Sequence, residues 1–464
     1  MTDGIFFIAV NSSKFSRPHN KGEVMHTKSR IRSFGAAIAA SAFIFAACGG
    51  DDGGSTASNA PSTDTATTDA PAGTDAPVVT EPTASPVLVV AIVDVTGVGA
   101  GSGPFIPDVI NAWAEWTNAN GGLGGHPVEV DIQDTAGDPA KSQTIIADAV
   151  AKSPVLFLLD DPFTEASMSE ALGKTGVPIM GLGYDPSIWG GYIEAFKLDC
   201  TADASNGLAC ALPNAFPLSA TFGAVVDAPA FVAQALGAKK TVFAVCAEAT
   251  SCSAAGPVWA TTVATLGMED IGLALISSAA ADYTAECLSW IDAGVDFINM
   301  GVDGFAAEKI MTNCDEQGYT GTYSVSQGSV AGSLLKGEHN VVGAINGFPW
   351  WVDDAPVAEY RSVMDAAGVD PEGYENPTAT GIWAALQMFA KANATLSDAP
   401  TAAETLANMF TIKDETLGGL VSPTTWTQGK TAPPRNCWWN YSLTDGKIEN
   451  PLGGLAYQCN PAES

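Results

Sequence analysis

The sequence predicts an α/β protein built as two doubly wound parallel-sheet lobes, and three observations carry that expectation. Residues 87–93, Val-Leu-Val-Val-Ala-Ile-Val, are apolar and β-branched without alternation, the pattern of a strand covered on both faces. Short apolar runs then alternate with helix-period segments almost to the end of the chain, and the pattern starts afresh near Thr241. Finally, about 378 residues follow position 86, too many for one ordinary core and suited to two.

Ahead of these elements the chain reads as an export leader and a tether. Lys28, Arg30 and Arg32 form a basic region, and Phe34 to Ala47 form an apolar one that is too short to span a bilayer with the usual ~20 residues. It ends in Phe45-Ala46-Ala47-Cys48-Gly49-Gly50, which resembles a lipoprotein signal in which Cys48 becomes the acylated first residue, although Phe45 stands where Leu is usual. An ordinary secretory signal containing a cysteine is the alternative. Residues 1–47 are thus expected to be leader and signal peptide, with Met25 as the true start, and residues 48–86 a disordered tether. From Asp51 to Pro86 the composition is Ser, Thr, Ala, Pro, Gly and Asp, with almost no large apolar side chain to offset the entropy of ordering.

The first strand is followed by a glycine-rich loop, Gly97 to Gly103, and by a helix whose Ile106, Val109, Ile110, Trp113 and Trp116 share one stripe. Asn120-Gly121-Gly122 ends that helix, and Val128 to Ile132 forms the next strand, completing a right-handed βαβ unit. Helices over 138–151 and 164–175 then alternate with strands over 155–159 and 177–180. Phe216 to Leu236 is expected to be mostly helical, with Pro229 as a kink or break, and to open the second lobe. There strands over 241–246, 271–277, 297–300 and 322–325 alternate with helices over 255–266, 283–293 and 306–317. Val341 to Trp351 crosses back, helices over 357–367 and 379–392 follow, and Cys437 to Leu443 is expected to make the last crossing.

Charge and cysteines narrow the function classes. The net charge is −31; residues 1–47 hold six Lys/Arg and two Asp/Glu, a surplus of four positive charges, so the rest of the chain stands at −35. Nucleic acid and anionic lipid headgroups are poor partners for such a surface, which is read as a solvated face and not as a cation site. Nine cysteines less Cys48 leave an even number in an exported chain, and spacing suggests neighbouring pairs: Cys200 with Cys210, Cys246 with Cys252, Cys287 with Cys314, and Cys437 with Cys459. Metal binding is the competing use of these thiols, but no CxxC occurs and only His126 and His339 lie beyond the leader. No metal or cofactor is expected.

Asn118-Ala119-Asn120-Gly121-Gly122-Leu123-Gly124-Gly125, then Asp134 and the Asp138-Pro139 pair opening the next helix, resemble the first βαβ unit of type I periplasmic solute-binding proteins of the leucine/isoleucine/valine-binding family. The resemblance extends in element order from about Val87 to Glu449. It implies two Rossmann-like lobes joined by a three-strand hinge, with residues 87–218 plus 347–430 as lobe 1 and 219–346 plus 431–464 as lobe 2. It also implies a receptor of an ABC importer for amino acids and related small solutes.

Ligands in such sheets sit at the carboxyl ends of the strands, here in the cleft between lobes. Gly101 and Ser102 offer backbone N–H groups and a hydroxyl. Counted back from Asn118, Ser102 takes the position where relatives carry an aromatic contact; a plain turn is the alternative. After the third strand relatives present glycine and serines to a ligand carboxylate, whereas this chain reads Asp160-Asp161-Pro162-Phe163-Thr164-Glu165. Thr164 is expected to cap the helix. Asp161 and its neighbour Asp160 would repel the carboxylate of an ordinary α-amino acid. Gly183, Tyr184 and Asp185 match the next contact loop by their distance from Gly176-Val177-Pro178.

In the second lobe Asp303 ends one strand, and Gln327 falls where amino-acid binders place the acid that takes the ligand ammonium. Glutamine is uncharged and both donates and accepts, which suits an amide, urea-like or hydroxylated group; Asp303 is the other source of charge. Surface-loop status is the alternative for each of these residues. Trp350, Trp351, Trp438 and Trp439 are read as hinge packing in preference to ligand stacking.

The sequence therefore points to a lipid-anchored, exported, monomeric binding protein that closes around a small polar solute and hands it to an ABC permease. A ligand-sensing receptor is the rival within the fold. A secreted α/β hydrolase is the rival outside it, disfavoured by the lack of a GxSxG elbow and by the few histidines.

Overall fold

The computed structural model describes residues 84–96, 105–190, 211–220, 222–248, 250–327, 332–337, 339–433 and 435–460, with Pro82 and Val330. The leader, Cys48, nearly all of the tether, Gly101, Ser102, Cys200 and Cys210 lie outside these residues. Among the described residues no helix is long and apolar enough to cross a membrane.

The first lobe runs β1 (Val87–Val93), α1 (Ile106–Ala119), β2 (Val128–Asp134), α2 (Pro139–Val150), β3 (Leu156–Asp160), α3 (Glu165–Gly173), β4 (Ile179–Gly181), α4 (Pro186–Trp189) and β5 (Ala215–Pro217). These strands form one parallel sheet in the order β2-β1-β3-β4-β5. Six of the seven residues of β1 are buried, because helices cover both faces of its sheet. Local chemistry sets the helix starts: the Asp138 carboxylate accepts from Ala140 N at 2.8 Å and Pro139 occupies the first turn of α2.

The second lobe runs α5 (Phe222–Leu236), β6 (Lys240–Cys246), α6 (Thr250–Thr265), β7 (Glu269–Ile276), α7 (Thr284–Asp292), β8 (Phe297–Gly301), α8 (Gly304–Glu316), β9 (Thr322–Val325), α9 (Gly332–Lys336) and β10 (Val341–Ile345). The chain then returns to cover the first sheet with α10 (Ala355–Ala367), α11 (Pro371–Tyr374), α12 (Pro377–Ala392) and α13 (Ala402–Met409). It finishes in β11 (Cys437–Thr444), β12 (Lys447–Glu449) and β13 (Gln458–Cys459). The second sheet has the order β12-β11-β10-β9-β8-β6-β7, with β13 also paired to β11. It is parallel from β10 to β7 and antiparallel where β11 meets β10, β12 and β13.

Three expectations need correction. Phe216 belongs to strand β5 and not to a helix; β5 is an edge strand, so Pro217 at its end removes no ladder bond. Pro229 lies inside α5 and does not break it, the helix running on over Phe222–Leu236. Its apolar surroundings, Val226, Ala230 and Ala233, are buried against the sheet and hold the helix across the lost hydrogen bond. Cys437 to Leu443 is not a crossover but part of β11, paired with β10 from Trp439↔Ile345 to Leu443↔Val341.

The sheets are linked where β5 leads into α5, where β10 leads into α10, and where the chain after α13 leads into β11. Aromatic packing fills these passages: Trp438 meets Phe231 at 5.6 Å, Trp350 meets Trp351 edge-on at 4.7 Å, and Trp439 Nε1 donates to Leu455 O at 3.0 Å. Gly343 is required by a close approach, since a Cβ there would lie 2.8 Å from both Val325 O and the Tyr441 ring. Disulfides join Cys246 to Cys252, Cys287 on α7 to Cys314 on α8, and Cys437 on β11 to Cys459 on β13.

Gly343→Ala is expected to lower stability by about 1–3 kcal/mol through overpacking, read by urea denaturation. Replacing Cys287 and Cys314 together by Ala should cost about 3.5 kcal/mol for a loop of 27 residues, lowering the urea midpoint of the second lobe.

Candidate functional site

On the first lobe the carboxyl ends of β1, β3 and β4 carry a wall of acids. Asp94 follows β1 and is 3 % exposed; its backbone N–H donates to the Asp160 carbonyl at 3.1 Å, which sets the two chain segments side by side. Asp160 ends β3 and is 7 % exposed. Burial, with the charges of Asp161 and then Asp94, pushes its carboxyl up to about 7, opposed by a hydrogen bond from Tyr184 Oη at 3.3 Å. Burial and the neighbouring Asp160 and Glu165 hold the Tyr184 phenol well above its usual range, so it stays a donor; its oxygen also meets the Thr378 side chain at the start of α12.

Asp161 and Thr164 are buried and their bonds are spent within the loop. The Asp161 carboxylate accepts from Phe163 N at 3.1 Å, Thr164 N at 3.0 Å and the hydroxyls of Thr164 and Thr135. Thr164 stands at the N-cap of α3, but its hydroxyl turns to Asp161 and caps nothing. Glu165 is fully buried: Oε2 accepts from Asp185 N at 2.7 Å and Trp189 Nε1 at 2.9 Å, while Oε1 has no partner. Burial, then Asp185, raises its carboxyl well above the ordinary range. Gly183 has φ 82°, a conformation that favours glycine, and turns the chain so that Tyr184 faces Asp160. The half-buried Asp185 accepts from Ser187 N at 2.9 Å.

On the second lobe Asp303 caps α8, accepting from Ala306 N at 3.0 Å, and beside it Phe305 is 69 % exposed. Glu248, beyond β6, accepts from Ser277 Oγ at 3.1 Å and Ser278 N at 3.0 Å beyond β7. Gln327, just past β9, is 8 % exposed with Oε1 unpartnered, and Asn346, just past β10, is 4 % exposed with Nδ2 unpartnered. A polar atom buried without a partner costs free energy unless something else meets it.

The chain leaving β10 packs against α12 here. A Cβ on Gly347, next to Asn346, would lie 2.2 Å from Thr380 Oγ1 and 2.3 Å from Pro377 O at the start of α12, the same turn whose Thr378 meets Tyr184. The start of α12 thus lies between the passage that follows Asn346 and the Tyr184–Asp160 pair. Asp94, Glu165, Phe305, Asn346 and Thr378 were not singled out from sequence. Their one shared signal, position just past a buried strand or at a helix start, is common to many residues that do nothing.

A model of the family described as "Periplasmic binding protein" matches residues 86–447. Solved structures share the fold. A substrate-binding protein of an ABC transporter from Aeropyrum pernix has a TM-score of 0.65 at 14% identity, covering 82% of this chain and 97% of its own. An ABC transporter solute-binding protein from R. palustris in complex with benzoate has a TM-score of 0.61 at 15% identity, covering 81% and 98%. A fatty acid ABC transporter substrate-binding protein from Thermomonospora curvata has a TM-score of 0.61 at 14% identity, covering 79% and 91%. No curated protein sequence matches the chain. With the family model spanning both sheets, the chain belongs to the periplasmic binding protein family, and it is a binding protein rather than an enzyme.

Proposed function

We propose that this protein captures a small polar solute (an amino acid, an amide or a related compound) between its two lobes and delivers it to an ABC importer. The observation that carries the reading is Gln327, more than nine-tenths buried just past β9 with an acceptor oxygen that no protein group meets. A solute donating to that oxygen while touching the Gly183 to Asp185 turn of the first lobe bridges the lobes and stabilises their closed arrangement by its differential affinity. In this reading lobe 1 comprises residues 87–218 plus 347–430 and lobe 2 residues 219–346 plus 431–464. Gly101 and Ser102 extend the first-lobe contacts, Asp161 and Thr164 fix the loop on which Asp160 sits, and Asp303 orders the start of α8 near the solute. The protein is monomeric and is held at the outer face of the cytoplasmic membrane by a lipid on Cys48, with residues 48–86 as tether. Relatives solved with benzoate and with 4-hydroxybenzoate support a ligand of this size.

Thermal-shift screening of the mature protein against amino acids, amides, urea-like compounds, short carboxylates and sugars tests the reading, since a ligand at 100 times its Kd stabilises by about 2.7 kcal/mol. Gln327→Ala should weaken the compound found by about two- to tenfold, the loss of one hydrogen bond of about 0.5–1.5 kcal/mol. Unchanged affinity in that variant removes Gln327 from the site. Replacing Cys48 with Ser should leave a folded protein that no longer fractionates with membranes; equal retention sinks the anchor.

A further inference from the structure

Resting on that reading, we propose that the solute is a small organic cation, a protonated amine without a carboxylate, whose ammonium group is held by the acid wall of the first lobe around Asp160. The wall gathers Asp94, Asp160, Asp161, Glu165 and Asp185 at the carboxyl ends of β1, β3 and β4 and their loops, and the groups acting on Asp160 are carboxylates and one phenol. Among the described residues no salt bridge engages Asp160, Asp161, Glu165 or Asp185. Burying the Asp160 carboxylate beside Asp161 with no salt bridge to it costs free energy, and a cation entering there recovers it. A carboxylate entering there would add to the repulsion.

Independent of the acids, two buried atoms past the strands of the second sheet lack partners. Gln327 Oε1 lies past β9 and Asn346 Nδ2 lies past β10, next to Gly347, which runs against the start of α12. The first is an acceptor, which an ammonium can satisfy, and the second is a donor, which asks for a neutral oxygen or nitrogen elsewhere on the same molecule. An amino alcohol or an amine bearing an amide meets all of these demands. At the start of α8 the exposed ring of Phe305 offers an aromatic face of the kind that attracts alkylammonium groups.

Protons compete with such a cation. Asp160 faces Asp161 on its own loop, Asp94 from β1, and Tyr184 from β4, which is backed by Thr378 from α12. An amine needs Asp160 ionised, so affinity rises with pH through about 7 and is lost as pH falls below it.

The mature full-length protein is tested by calorimetry with ethanolamine, putrescine, propionamide and benzoate. At least one amine is expected to bind, benzoate is not, and the amine affinity should fall about tenfold between roughly pH 8 and pH 6. Asp160→Asn should raise thermal stability near neutral pH by removing a buried charge, weaken the amine by about tenfold or more, and flatten its pH profile. Tyr184→Phe should move the midpoint of the amine's pH profile upward, because a hydrogen bond that favours the Asp160 carboxylate is gone. Tighter binding of benzoate or propionamide than of either amine overturns the cation assignment; if Gln327→Ala then weakens that compound, the solute-binding reading survives. Amine affinity that ignores both pH and Asp160→Asn also overturns it. Failure of all four probes overturns it again, and if the wider screen is blank too, the solute-binding reading falls with it.

Discussion

Seven residues of β1 pair with β2 along one edge, five of them pair with β3 along the other, and helices close over both faces. A strand confined on four sides has freedom only at its ends, and in a parallel sheet every carboxyl end points the same way. Asp94, Asp134, Asp160 and Tyr184 are therefore delivered to one rim by the pairing that builds the core. The Asp134 carboxylate shows how tightly that rim is drawn: it accepts from Val95 N at 2.9 Å and Ala136 N at 3.0 Å, tying the loops after β1 and β2 together. Polar chemistry at the rim and apolar packing behind it are two results of the same confinement.

The second lobe meets the demand differently. Its parallel core is extended by the antiparallel strands β11, β12 and β13, which the chain adds only after returning from the first lobe. Tyr441 Oη reaches across from β11 to the Val325 carbonyl at the end of β9, at 2.8 Å, through the space left by Gly343. The last segment of sequence thus braces the strand whose end carries Gln327.

Much of the fold could be read from the chain because the β-branched run at β1 and the restart near Thr241 reflect burial, which is a local property of pattern. Short elements were harder. β5 has three residues and no measurable period, so Phe216 was absorbed into the following helix. Pro229 signals a break only if local hydrogen bonding decides the outcome, and the packing of α5 decides it instead. The site was legible as loops and opaque as chemistry: Asp160 and Asp161 are adjacent and identical in type, yet one is saturated by four donors and the other is crowded by acids. Which is which depends on where β1, β4 and α12 come to rest. Asn346 owes its unmet Nδ2 to the same long-range arrangement.

The three disulfides described all lie in the second lobe, and each binds elements that neighbour one another in space. These staples form only where oxidants reach the second lobe. A polypeptide that lingers in a reducing compartment leaves that lobe without them. Heterologous production gains from oxidising conditions for the same reason, and half-matured material should be sought as molecules whose second lobe proteases can open.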